Sequence, residues 1–192
     1  MDFASDEPTS PRRGWVAVGV ATVIGAFSYF SLIDAFVAAA DGLDQDVVAL
    51  SVFFGLVTAP FAFIAAAFIS RHRSAPLAVL GAMGLFLLVG LPVGLLTPAL
   101  GLVAGFGAGA VVAFRREEEA HSLVVRSVAV ALAVVYTLVV MVIAVPLGVF
   151  TGGFIPFLAV GFADVYSQRR AEEQHETLRD GSTPRDPQDS TN

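Results

Sequence analysis

The chain has 192 residues, 56% hydrophobic and 15% charged, with a mean hydropathy of +0.76. Soluble domains hold roughly 45–50% apolar and about 25% charged residues, so this composition argues against a water-soluble globule. Against 17 acidic residues stand 11 basic ones, giving a net charge of −6. With no basic cluster to neutralise phosphates, nucleic acid is not expected as a partner. The absence of cysteine rules out disulfides, thiolate metal sites and thiol nucleophiles.

Residues 1–13 carry Pro8, Pro11 and several acids and read as a short disordered leader. From Trp15 to Ala40 the only ionisable side chains are Tyr29 and Asp34, and the run exceeds the roughly 20 residues that a spanning helix needs. The polar "DGLDQD" of residues 41–46 supplies a turn at Gly42. A second span follows at 47–69, interrupted by Pro60, which is expected to kink it, and it ends in "SRHR" at residues 70–73.

No charge occurs from Pro76 to Phe114. At about 1.5 Å per residue this is too long for one crossing and right for two. Spans at 76–95 and 98–114 are therefore expected, turning around Leu95 to Ala99. Residues 123–166 repeat the plan, with charges only near the ends at Arg126 and Asp164. This predicts spans at 123–147 and 150–166 with a turn between Gly148 and Gly153. Residues 171–192, acidic and containing Pro184 and Pro187, read as a disordered cytoplasmic tail.

The resulting expectation is an all-α integral membrane protein of six transmembrane helices arranged as three hairpins. All the basic residues are arginines, and Arg12/Arg13, Arg71/Arg73, Arg115/Arg116 and Arg169/Arg170 fall on one side of this threading. The opposite loops hold Asp41, Asp44 and Asp46. By the positive-inside rule both termini are cytoplasmic and the protein spans the cell membrane, with Trp15 and Tyr166 at the cytoplasmic boundary. "SPRRGWVAV" at Ser10 to Val18 is similar to a twin-arginine export signal, and "AAAD" at Ala38 to Asp41 offers a small-residue cleavage site. The apolar stretch is much longer than the roughly 7–15 residues of a signal h-region, so an uncleaved span is expected.

"RREEEAH" at 115–121 recurs as "RRAEEQH" at 169–175, displaced by 54 positions. At the same displacement Pro92 matches Pro146, Gly94 matches Gly148, Thr97 matches Thr151, Gly107 matches Gly161 and Val111 matches Val165. This predicts that the last two hairpins are a tandem parallel repeat whose charged ends lie in the cytoplasm. The lysine-free, acidic, Ala/Val/Gly-rich composition resembles that of salt-adapted archaea, in which surface carboxylates maintain solubility.

Candidate sites are few. Asp34 interrupts an apolar run, where an aspartate at a helix centre costs about 2.5–3.5 kcal/mol. Nineteen residues beyond Trp15 it lies roughly 28 Å along the helix, close enough to the outer surface to act as an interfacial acid. A proton- or ion-handling role is the alternative. Tyr29, with Ser28 and Ser31, either packs helices or lines a polar path. Arg126 is expected to snorkel, with a contact to Asp164 that would hold the last hairpin shut as a further hypothesis. The pairs Glu118/His121 and Glu172/His175 have the Glu-x-x-His spacing of di-metal carboxylate bundles. Such sites are buried in bundle cores, and these segments read instead as charged interfacial helix ends.

Gly101, Gly105 and Gly109 form two G-x-x-x-G units, with further ones at Gly90/Gly94 and Gly148/Gly152, a spacing that lets helices approach closely. No cofactor and no conventional catalysis are expected. His72, His121 and His175 all lie in cytoplasmic segments, and no intramembrane Ser–His or carboxylate pair is legible. The leading expectation is a non-enzymatic membrane component whose glycine faces pack against itself, as a homo-oligomer, or against another membrane protein within the lipid bilayer. A small-solute transporter or channel using Asp34 and Tyr29 is the alternative, and metal binding at the two Glu-x-x-His segments is a third.

Overall fold

A computed structural model describes residues 11–70, 75–114 and 120–181. They form seven helices: α1 (Pro11–Ala40), α2 (Gln45–Ser70), α3 (Ala75–Gly94), α4 (Pro98–Ala113), α5 (Ala120–Ile143), α6 (Val145–Gly152) and α7 (Ile155–Gly181), with no strand among the described residues. Four stretches, Arg13–Ala40, Gln45–Ile69, Ala75–Gly94 and Leu123–Ile143, are long and apolar enough to cross a membrane. The pair α6 and α7, bent by 50° at its junction, makes a fifth if counted as one broken span. α4, with 16 residues, is only about 24 Å long at 1.5 Å per residue.

α1 ends in a hydrogen-bonded reversal. Gly42 takes a left-handed φ of 69°. The Leu43 N–H then reaches the Ala38 carbonyl and the Gly42 N–H that of Ala39, which satisfies carbonyls the helix end would otherwise leave open. The Asp44 carboxylate accepts the Asp46 N–H at 3.3 Å and so caps the start of α2. α2 continues as helix through Pro60. It runs back along α1, with the Ser28 hydroxyl donating to the Gly55 carbonyl at 2.6 Å and Leu32 filling the space over Gly55.

The α3–α4 hairpin closes on glycine. A Cβ on Gly101 would collide with the backbone of Gly94, and one on Gly105 would come within 2.8 Å of the Phe86 carbonyl oxygen. Gly109 faces Phe63 and the Ala82 carbonyl. The glycine faces read as packing surfaces are thus used within the chain. Where the hairpins meet, Phe63, Phe86, Phe106 and Phe157 gather with ring centroids 4.7 to 6.1 Å apart, surrounded by buried alanines such as Ala59, Ala62, Ala66 and Ala110.

The last hairpin departs from the expected plan. Its turn falls at Ala144, extended at φ −152° and ψ 96°, and residues placed in a turn at 148–153 are mostly helix. The reason is Pro146: its ring would collide with the Val142 carbonyl in a continuous helix, so the chain breaks before it. α6 then runs back against α5, with Gly148 on Met141, and the return continues along α7 to the contact of Arg126 with Asp164. α7 extends to Gly181, so residues 171–181, expected as disordered tail, are helical, and residues 11–13 of the expected leader begin α1.

Positions matched by the internal repeat take different roles. Pro92 lies inside α3 while Pro146 opens α6, and Thr97 is the N-cap of α4 while Thr151 lies within α6. The repeat therefore does not carry through to equivalent turns.

Candidate functional site

Among the described residues, three polar places in the apolar body are candidates for function. The first is Asp34, exposed on α1 two turns before the Gly42 reversal. Its Oδ2 accepts a hydrogen bond from the Ser51 hydroxyl of α2 at 3.0 Å. Residues 34 and 51 face each other because they lie almost symmetrically about Gly42, the pivot of the hairpin. The carboxylate stands at one end of a groove of about 500 Å³ formed by Phe27, Phe30, Ser31, Ile33, Asp34 and Val37. Spacings of three, four and seven along α1 align these side chains on one face. Phe30 is braced from behind by Phe150 and Phe154, at centroid distances of 5.9 and 5.7 Å.

The second is Tyr29, one position from Phe30 but on the inward face and 0% exposed. Its hydroxyl has no hydrogen-bond partner among the described residues. It points at the junction of α6 and α7, where a Cβ on Gly152 would lie 2.8 Å from the hydroxyl oxygen. Pro156 follows four residues after Gly152 and has no N–H to offer the Gly152 carbonyl, which is why the span is broken here. A buried polar side chain and an interrupted backbone thus coincide. Neighbouring Ser28 is no part of a path: its bond to Gly55 is a helix-packing contact.

The third is the ion pair of Arg126 and Asp164, 1% and 2% exposed. The expected snorkelling does not occur, because the guanidinium is turned inward to the carboxylate on α7, which satisfies its charge without reaching headgroups. The hypothesised closure of the hairpin by this contact is what the structure shows. Nε and Nη1 of Arg126 have no hydrogen-bond partner among the described residues. Close to this level Trp15 meets Phe162 edge-on at 4.9 Å and Val18 packs over Gly161, so α1 also covers α7.

The Glu-x-x-His candidates lie outside the described side chains. Glu118 lies outside the described residues, and His121, Glu172 and His175 are on helices whose side chains there are likewise outside them. No group of three or more metal-ligating side chains occurs among the described residues. Ser51 is the residue that sequence reasoning missed, although the hairpin register about Gly42 would have found it. No family model matches the chain, and no similar curated protein or solved structure is found.

Proposed function

We propose that the protein is a non-enzymatic multi-pass component of the cell membrane, crossing it six times with both termini cytoplasmic, that packs as a homo-oligomer or as an accessory subunit of another membrane protein. The observation that carries this reading is how the polar groups inside the apolar body are spent. Arg126 and Asp164 neutralise each other, and Thr22, Ser28 and Thr137 donate to carbonyls of the helices. The centre between them is filled by phenyl rings. Such a body is built to be packed rather than to be traversed.

The reading also has a face to act through. α5 buries only a narrow stripe containing Arg126, Ala133 and Thr137, and its opposite side presents Leu132, Val135, Tyr136 and Val139. Tyr136 is 48% exposed and lies roughly 20 Å along the helix from Leu123, a depth at which a hydroxyl gains from a hydrogen-bonding neighbour in another helix. Native mass spectrometry of protein released from its own membranes in mild detergent and high salt tests the proposal. A stoichiometric second polypeptide or a defined homo-oligomer, weakened by Tyr136→Phe, is the expected result. A monomer retaining no partner counts against it.

The second reading is a small-solute transporter or channel, favoured by one specific feature. Transporters commonly place substrate or ion sites where a membrane helix is discontinuous, and Tyr29 aims an unpartnered hydroxyl at such a break. Loss of flux in both Tyr29→Phe and Asp34→Asn would support this reading, and unchanged flux in both would remove it.

A further inference from the structure

We infer that the groove at Asp34 is a binding site for an amphiphilic organic cation, with the cationic centre against the Asp34 carboxylate and an apolar body lying along Phe27, Phe30, Ile33 and Val37. The inference adds a ligand class to the residue used by the transport reading. It concerns binding alone.

The argument begins with charge. The Ser51 hydroxyl engages Oδ2 of Asp34 and fixes the carboxylate's orientation, while no cation pairs with Asp34 among the described residues. Arg13, Arg126 and Arg169 lie toward the opposite end of the bundle. The groove therefore holds an uncompensated negative charge beside a low-dielectric surface, where attraction for a cation is stronger than in water.

Shape and chemistry narrow the occupant. The groove, about 500 Å³, is open and runs along one face of α1, which supplies all its lining residues. Its walls are phenyl and aliphatic, and its polar groups are the carboxylate and the Ser31 hydroxyl. A hydrated inorganic cation gains nothing from such walls, and one carboxylate with one serine is too few ligands to strip a metal ion of water. An anion is repelled. An organic cation with an apolar body gains from burial, from the carboxylate and from the faces of Phe27 and Phe30. Phe30 is already held by Phe150 and Phe154, so this wall needs little ordering when the ligand arrives.

The test uses the full chain purified in detergent at high salt, with tetraphenylphosphonium as probe and tetraphenylborate as the counterpart of similar shape and opposite charge. Equilibrium dialysis should show saturable binding of the phosphonium near one per chain, at least tenfold weaker in Asp34→Asn and unchanged in Asp44→Asn. Tetraphenylborate should show no saturable binding. Ser51→Lys, which sets a cation beside the carboxylate while leaving Asp34 in place, should also abolish phosphonium binding, and it serves if Asp34→Asn fails to fold. Equal phosphonium binding by wild type, Asp34→Asn and Ser51→Lys, or saturable binding of the borate, would overturn the inference, since either outcome reports partition into apolar surface. Saturable binding without flux leaves the inference intact and removes the transport reading. Asp34-dependent flux without phosphonium binding does the reverse.

Discussion

Arg126 and Asp164 are separated by 38 positions and lie on helices that meet only after the chain reverses at Ala144. Their pairing offsets the cost of burying each charge, but a buried ion pair is not in itself a large source of stability. Removing one partner strands the other, so Arg126→Ala or Asp164→Ala should destabilise the detergent-solubilised protein by about 3–5 kcal/mol, whereas Arg126→Met with Asp164→Leu should recover most of that loss. Thermal unfolding of the two single variants and the double variant measures this directly. Double-variant stability no better than either single would show that the pair's orientation, and not its charge, closes the hairpin. Tyr29 poses the opposite case, a buried hydroxyl without a partner among the described residues, which costs about 1–3 kcal/mol. Tyr29→Phe keeps the edge-on ring packing on Phe30 and should stabilise the protein by about 1 kcal/mol. A loss of stability would mean that the hydroxyl is bonded in the folded state.

The α3–α4 pair depends on close backbone approach. At Gly101 an added Cβ meets Gly94 backbone atoms, which cannot rotate away, whereas at Gly84 it meets nothing within 4 Å. Gly101→Ala should therefore force the helices apart and cost about 1–3 kcal/mol. Gly84→Ala should gain about 0.5–1 kcal/mol, because alanine loses less freedom than glycine on entering a helix. Unfolding curves of the two variants should shift in opposite directions, and a shift in the same direction would show that the seam is not rigid. The α6–α7 break is a second feature of this scale. Pro146 ends α5, Gly152 and Gly153 lie at the junction, and Pro156 withholds the amide that would join the two segments.

For the whole molecule, the number of crossings decides where the ends lie. Tyr29 and Val103 meet Gly152 while Trp15 meets Phe162 and Phe106 meets Phe157, so α1 runs against α7 and α4 along it, and the reversals at residues 41–44, 95–97 and 144 lie toward the same end of the bundle. If α4 crosses despite its length and α6–α7 form one broken span, the crossings are six and both termini share a side. Five would separate them. The chain has no cysteine, so single cysteines at Ser10, Asp44, Leu96 and Ser182 report without background. Membrane-impermeant maleimide added outside intact cells should label positions 44 and 96 and spare 10 and 182. Labelling of 10 or 182 from outside would overturn the proposed topology.

Composition and the spacing of breaks were enough to read an all-helical chain with long apolar helices, the Gly42 turn and the reversal near Leu95, because the solvent and the backbone dictate these locally. Asp34 was legible for the same reason, as a charge that an apolar run makes conspicuous. The partners of these groups were not. A helix that is apolar on every side carries no stripe to mark its inward face, so the rotation that sets Ser51 beside Asp34, buries Tyr29 against Gly152, and turns Arg126 to Asp164 is decided only when the helices pack. The last turn falls at Ala144 and not at Gly148 to Gly153, because the steric conflict of Pro146 ends α5. The glycine spacings indicated close approach, and only tertiary packing decided that it occurs within one chain.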